Sequence, residues 1–184
     1  VSPSDHDIVF AGTLYGVYRS TDGGDTWTQQ STNNYNYRIV SVPDDAPPGM
    51  NGLYLREGRY IQPESPGEAL VSEAFAKVHK LHSGSTVQAI IRGRLETLRI
   101  VGIALSPEYI YQIRPGDVLP DDRRFGVFWM SEKELAPAFD MDGAFNDIAL
   151  TLTPGANETE VLRRLDMLLE KYGGLGAYGR EDQA

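Results

Sequence analysis

The 184-residue chain contains no cysteine. That removes disulfides, thiolate nucleophiles and cysteine-ligated zinc or iron–sulfur centres together, and it leaves the redox compartment open. Long apolar runs are missing too: none approaches the roughly 20 residues that a membrane-spanning helix needs. The opening Val1-Ser-Pro-Ser-Asp-His-Asp7 has neither the basic nor the apolar region of a secretory signal. Basic residues are scarce, with 17 Lys and Arg against 26 Asp and Glu, a net charge of −9. A balance of that sign repels phosphate backbones and anionic headgroups, so nucleic acid is not an expected partner. No G-x-S-x-G nucleophile turn and no G-x-x-x-x-G-K-[ST] phosphate loop occurs, and no cofactor is expected.

What is there is an ordinary globular composition rich in turns: 41% hydrophobic residues, 19 glycines and 11 prolines. A chain of this length fits one sizeable domain or two small ones, and buries roughly two-thirds of its unfolded surface. Its first thirty residues differ from the rest. Residues 8–11 and 14–18 are β-rich around a Gly12-Thr13 turn, and Ser20-Thr-Asp-Gly-Gly-Asp-Thr-Trp27 follows. Asp22-Gly23 is a strong hairpin signal, Asp22 is placed to accept turn amides, and Trp27 to pack over the hairpin. This octapeptide resembles the Asp-box of sialidase-like β-propeller repeats, where the motif is a structural turn. One copy supplies one hairpin and cannot close a propeller. Residues 28–37 read as a polar connector, so the expected division is 1–37 against 38–184.

In the body of the chain, Arg38–Val42 is a strand candidate, and Leu53 and Leu55 alternate with Tyr54 and Arg56. Ser72 is placed to cap a helix carrying Ala74, Phe75, Val78 and Leu81 that Gly84 stops. Thr86–Ile91 and Leu95–Ile103 form a hairpin around Arg92-Gly93-Arg94, within a β-rich insertion over about 53–104. Phe125–Met130 is an apolar strand, and Ser131 to Glu134 has the capping-box spacing before a helix that Pro137 keeps short. Asp147–Leu152 reads as a strand. Asn157 then caps a helix whose buried stripe is Val161, Leu162, Leu165, Leu168, Leu169 and Tyr172. The expected fold class is α+β: a mainly antiparallel sheet with helices on one face and a small β-rich subdomain.

Leu55-Arg-Glu-Gly-Arg59, Glu68-Ala-Leu-Val-Ser-Glu-Ala-Phe75, Ile100-Val-Gly-Ile103 and Asp147-Ile-Ala-Leu150 stand in an order that resembles the extracytoplasmic (periplasmic core) domain of FtsX/MacB-type ABC transporter permeases, over residues 38–182. The resemblance implies a non-catalytic domain at the outer face of a bacterial cell membrane, carried between the transmembrane helices of a permease that dimerises. It implies a separate cytoplasmic ATPase as partner and an extracytoplasmic protein or lipid as substrate. It transfers no catalytic residue.

Sharper chemistry has few candidates. His79 and His82, three apart with Glu73 upstream, lack a third ligand for zinc. Asp140-Met-Asp142-Gly143 lacks the further oxygens of a calcium loop. Asp117, Asp121 and Asp122 beside Arg123 and Arg124 read as a solvated loop, with a hydrolytic carboxylate site as the contrasting reading. Phe125, Phe128 and Trp129 belong to a core strand. Tyr109, Tyr111 and Ile113, in a long irregular segment, are the candidate contacts for a partner. The function expected is therefore coupling of ATPase-driven helix motion to a substrate or partner, with a carbohydrate-binding or hydrolase-associated Asp-box module as the alternative.

Overall fold

The computed structural model describes residues 9–13, 16–22, 25–26, 28–31, 36–43, 50–110, 112, 118–179 and 181. Two sheets organise the first part of the chain. The smaller is an antiparallel meander of β1 (Val9–Thr13), β2 (Gly16–Ser20) and β3 (Thr28–Ser31). Gly12 and Thr13, expected to turn, instead extend the ladder opposite Val17 and Gly16. β3 lies inside the stretch read as a connector: a polar run pairs through its backbone when a neighbouring strand supplies the partners.

The larger sheet has six strands: β4 (Asn36–Val42), β5 (Tyr54–Gly58), β6 (Glu68–Ser72), β7 (Thr86–Ile91), β8 (Arg94–Leu105) and β9 (Phe125–Ser131). Their order is β4-β9-β6-β8-β5, with β7 also on β8. β4 runs parallel to β9 and β6 parallel to β8, while β6–β9, β5–β8 and β7–β8 are antiparallel. The α+β class holds, with a sheet of mixed direction. β6 is central, and every one of its five residues is buried. A strand covered on both faces has no two-residue alternation to betray it, so periodicity does not mark β6 in the sequence.

The two faces separate by side-chain parity. Ala69, Val71, Ile100, Ile103, Phe128 and Met130 share one cluster with Phe75 and Ala76 of α1 (Glu73–His79) and Leu135 of α2 (Glu132–Ala138). Leu70, Val101, Ala104, Phe125, Val127 and Trp129 form the second cluster, with Leu53 and the half-buried Tyr60, Ile61 and Tyr109. A register shift between Ala69 and Leu70 makes β8 skip Val101 and sets Leu70 opposite Gly102, which puts Ile100 and Ile103 on one face despite their spacing. The glycine is required there: a Cβ at Gly102 would lie 2.6 Å from the Arg59 carbonyl oxygen and 2.8 Å from Leu70 Cδ2.

Helix ends depart from the sequence reading in an instructive way. Ser72 occupies the N-cap position of α1, but its hydroxyl makes no cap bond. It donates to Gln112 Oε1 at 2.8 Å and accepts from the Val127 amide at 3.3 Å. α1 stops at His79, well before Gly84. Lys80 takes the left-handed conformation (φ 54°), and Leu81 N–H reaches back to the Ala76 carbonyl at 2.9 Å. Leu81 packs onto the helix-side core, which repays the conformational cost at Lys80. α2 is capped as expected, Ser131 Oγ accepting the Glu134 amide at 3.2 Å.

The chain divides into two compact units, Val1–Phe145 and Asn146–Ala184. In the second, Asn157 Oδ1 accepts the Glu160 amide at 3.2 Å and caps α3 (Glu158–Leu169). A 3-10 turn follows over Glu170–Tyr172, and Gly173 ends it at φ 79°. The stripe expected to be buried is only half-buried at Val161, Leu162, Leu165 and Leu169, and Leu168 and Tyr172 are exposed. Asp147–Leu152, expected as a strand, belongs to neither sheet of the described residues. Among those residues no helix is long and apolar enough to cross a membrane.

Candidate functional site

Among the described residues, the most connected polar cluster is centred on Glu68, the first residue of β6, which is 1% exposed. Its carboxylate receives Arg59 from the chain just past β5 in a two-pronged pair, Nη1 to Oε2 at 2.7 Å and Nη2 to Oε1 at 2.6 Å. Arg99 of β8 donates Nη2 to Oε1, and the Gln62 amide donates to Oε2 at 3.2 Å. The backbone repeats the linkage, with Arg59 N–H on the Val101 carbonyl and Arg99 N–H on the Gly67 carbonyl, at 2.9 and 2.7 Å. From α2, Glu134 takes the Gly67 amide on both carboxylate oxygens at 3.0 and 3.1 Å.

The Arg59 hydrogen bonds, with the Gln62 amide and Arg99, hold the Glu68 carboxyl down to about 2 against the opposing effect of burial. Fully ionised at neutral pH, it accepts hydrogen bonds and has no proton to give. Such a cluster fastens elements together and is unsuited to general acid–base work. Nothing in the spacing of these residues along the sequence joins them. The signal was an acid opening a run of apolar residues, which demands cations nearby once that run is buried.

Around this hub the other candidates disperse. His79 stacks near Phe75, with ring centroids 4.1 Å apart, and its Nε2–H meets the Arg123 carbonyl at 3.1 Å. His82 faces Glu57, whose other oxygen accepts the Ser83 amide at 2.8 Å. Glu73 is engaged by Arg56 at 3.0 Å and Lys77 at 3.3 Å. The two histidines therefore serve different neighbours. Among the described residues no three His, Asp or Glu side chains are grouped to hold a metal ion. Asp121 accepts the Arg123 amide at 3.1 Å and lies 3.6 Å from Arg124 Nε, so it shapes the turn into β9. Asp140 pairs with Arg92. Asp117 lies outside the described residues.

Of the candidate partner contacts, Tyr109 is half-buried and directed at the sheet. It meets Trp129 edge-on at 6.1 Å, and the Arg38 guanidinium lies 5.5 Å from its ring centre. Tyr111 and Ile113 lie outside the described residues, whereas Ile110, Val118 and Leu119 are exposed. Phe125, Phe128 and Trp129 are core residues, as read.

The Asp22 turn has the hydrogen bonding that its sequence suggests. Ser20 Oγ donates to Asp22 Oδ1 at 2.6 Å, and the Thr26 amide donates to the same oxygen at 2.9 Å. Thr26 Oγ1 donates to Oδ2. The Ser20 and Thr26 bonds pull the Asp22 carboxyl far below the usual carboxylate range. Trp27 lies outside the described residues.

Comparison with family models, with characterised proteins and with solved structures finds no match.

Proposed function

We propose that residues 38–182 act as the extracytoplasmic domain of an FtsX/MacB-type permease, a non-catalytic body coupling ATPase-driven motion of membrane helices to an extracytoplasmic substrate or partner. The observation that supports this reading is the Glu68 hub. Two of the quoted segments, Leu55–Arg59 and Glu68–Phe75, are joined there by charged hydrogen bonds, and Arg99, the residue just before the third, Ile100–Ile103, binds the same carboxylate. A hub of this kind suits a domain that must move as one piece, because pulling on β5 loads β6 and β8 together. In this reading the ATPase is a separate cytoplasmic subunit, the permease is a dimer, and the domain lies on the outer face of the bacterial cell membrane.

The deciding experiment is to sequence the source locus across both ends of the chain. One membrane helix before residue 38 and about three after residue 182, beside an ATPase gene, is the expected outcome. A parent without membrane helices overturns the proposal. The Asp22 turn favours a second reading, an Asp-box module that binds carbohydrate or accompanies a hydrolase. That reading requires further Asp-boxes in the flanking sequence.

A further inference from the structure

We infer that Arg92 is a latch that fixes the point where the chain leaves the first compact unit. Arg92 belongs to the β7–β8 turn. Arg92 and Gly93 both have positive φ, 49° and 77°. A two-residue hairpin turn of that kind favours Asn or Asp at its first position, where a short polar side chain eases the left-handed backbone. An arginine there is a poor turn former. What it provides instead is reach. Its Nη1 donates to the Ala138 carbonyl at 2.8 Å and its Nη2 to the Asp140 carboxylate.

Both acceptors sit at the end of α2. Ala138 is the last helical residue, and its carbonyl is among those a helix leaves without an internal partner. Asp140 is itself left-handed (φ 54°), and it closes the helix with Asp140 N–H on the Pro137 carbonyl and Met141 N–H on the Ala136 carbonyl, at 3.3 and 2.8 Å. α2 is held at its first turn by the Ser131 cap and by the Glu134 contact with the Gly67 amide. It spans seven residues, contains Pro137 and buries only Leu135. Beyond Asp140 the chain changes character: residues 142–157 are all exposed and contain neither helix nor strand. The boundary between the compact units falls in this stretch, after Phe145. Arg92 thus ties the C-terminal turn of α2 to the β7–β8 hairpin. Releasing it frays α2 back toward Leu135 and lengthens the exposed junction.

The test is limited chymotrypsin digestion of the full chain with mass mapping, together with amide exchange over 136–141. In the wild type, cleavage after Phe145, which is 65% exposed, is expected to outpace cleavage after Phe139, which is 44% exposed and lies between the two latch acceptors. Arg92→Asn improves the turn while removing the guanidinium, and Asp140→Asn keeps a residue that tolerates the left-handed backbone. Both variants are expected to raise cleavage after Phe139 and exchange at 136–141 by at least threefold, with exchange in Thr86–Leu105 no faster than in the wild type. Unchanged Phe139 cleavage in both variants overturns the latch. So does a rise spread evenly over β7 and β8, which marks general destabilisation.

Discussion

Glu68 is the one charged side chain buried among the described residues. Its folded carboxyl titrates at about 2, below the ordinary glutamate value of 4.5. A depressed folded value means that its contribution is complete above the unfolded value, and is lost as pH falls from about 4.5 through 2. We expect urea unfolding at pH 6 to show Glu68→Gln less stable than wild type by roughly 2–3 kcal/mol, and the gap to close by pH 2. A constant gap across that range would assign the loss to packing. Gly126 is the steric counterpart. A Cβ there would lie 2.5 Å from Phe75 Cδ2, and Phe75 is fully buried with no room to retreat. Gly126→Ala should lower stability by about 1–3 kcal/mol, measured as a shift in denaturation midpoint at constant slope. Neither residue shows its role in the linear sequence. Glu68 and its two arginines are separated by 9 and 31 positions, and a glycine's reason for being there is held by the residue it faces.

At the scale of elements, the sequence was most informative where a local rule operates alone. Ser131 and Asn157 cap as read, because a cap needs only an oxygen three residues before an amide. The Thr86–Ile91 hairpin arm also stands as read because its apolar residues alternate, and the Phe125 strand because it is a short continuous apolar run. Legibility failed where tertiary contacts overrule local preference. β6 has no alternation because both its faces are covered, and β3 has no apolar signal at all. α1 ends at His79, five residues before the glycine expected to stop it, because Leu81 gains more by packing inward than Lys80 loses by turning left-handed. That balance yields a prediction: Lys80→Gly keeps the turn, removes the strain and should raise stability by about 0.5–1 kcal/mol, read from thermal or urea midpoints. Of the candidate site, the Asp22 turn was legible because its acceptor and donors lie within seven residues. The Glu68 hub was not, because its members come from three elements.

At the scale of the molecule, mixed strand direction decides how the pieces depend on one another. β4 is an edge strand whose ladder, among the described residues, is to β9, with Asn36 opposite Phe125 and Val42 opposite Ser131. Nothing local can form this ladder; the strands between must already be in place. Val40→Ala should therefore leave the refolding rate nearly unchanged and speed unfolding, giving a chevron whose right arm alone rises. A slower refolding arm would mean that β4 joins early. The same feature has a consequence during synthesis. β4 leaves the ribosome before any other strand of its sheet, yet its partner is the last of that sheet to be made. At 5–20 residues per second, roughly the ordinary pace of translation, it waits several seconds with its backbone unpaired. For that interval the nascent chain offers an open strand to whatever is nearby, so the order in which the strands are made exposes this chain to mispairing at every round of translation.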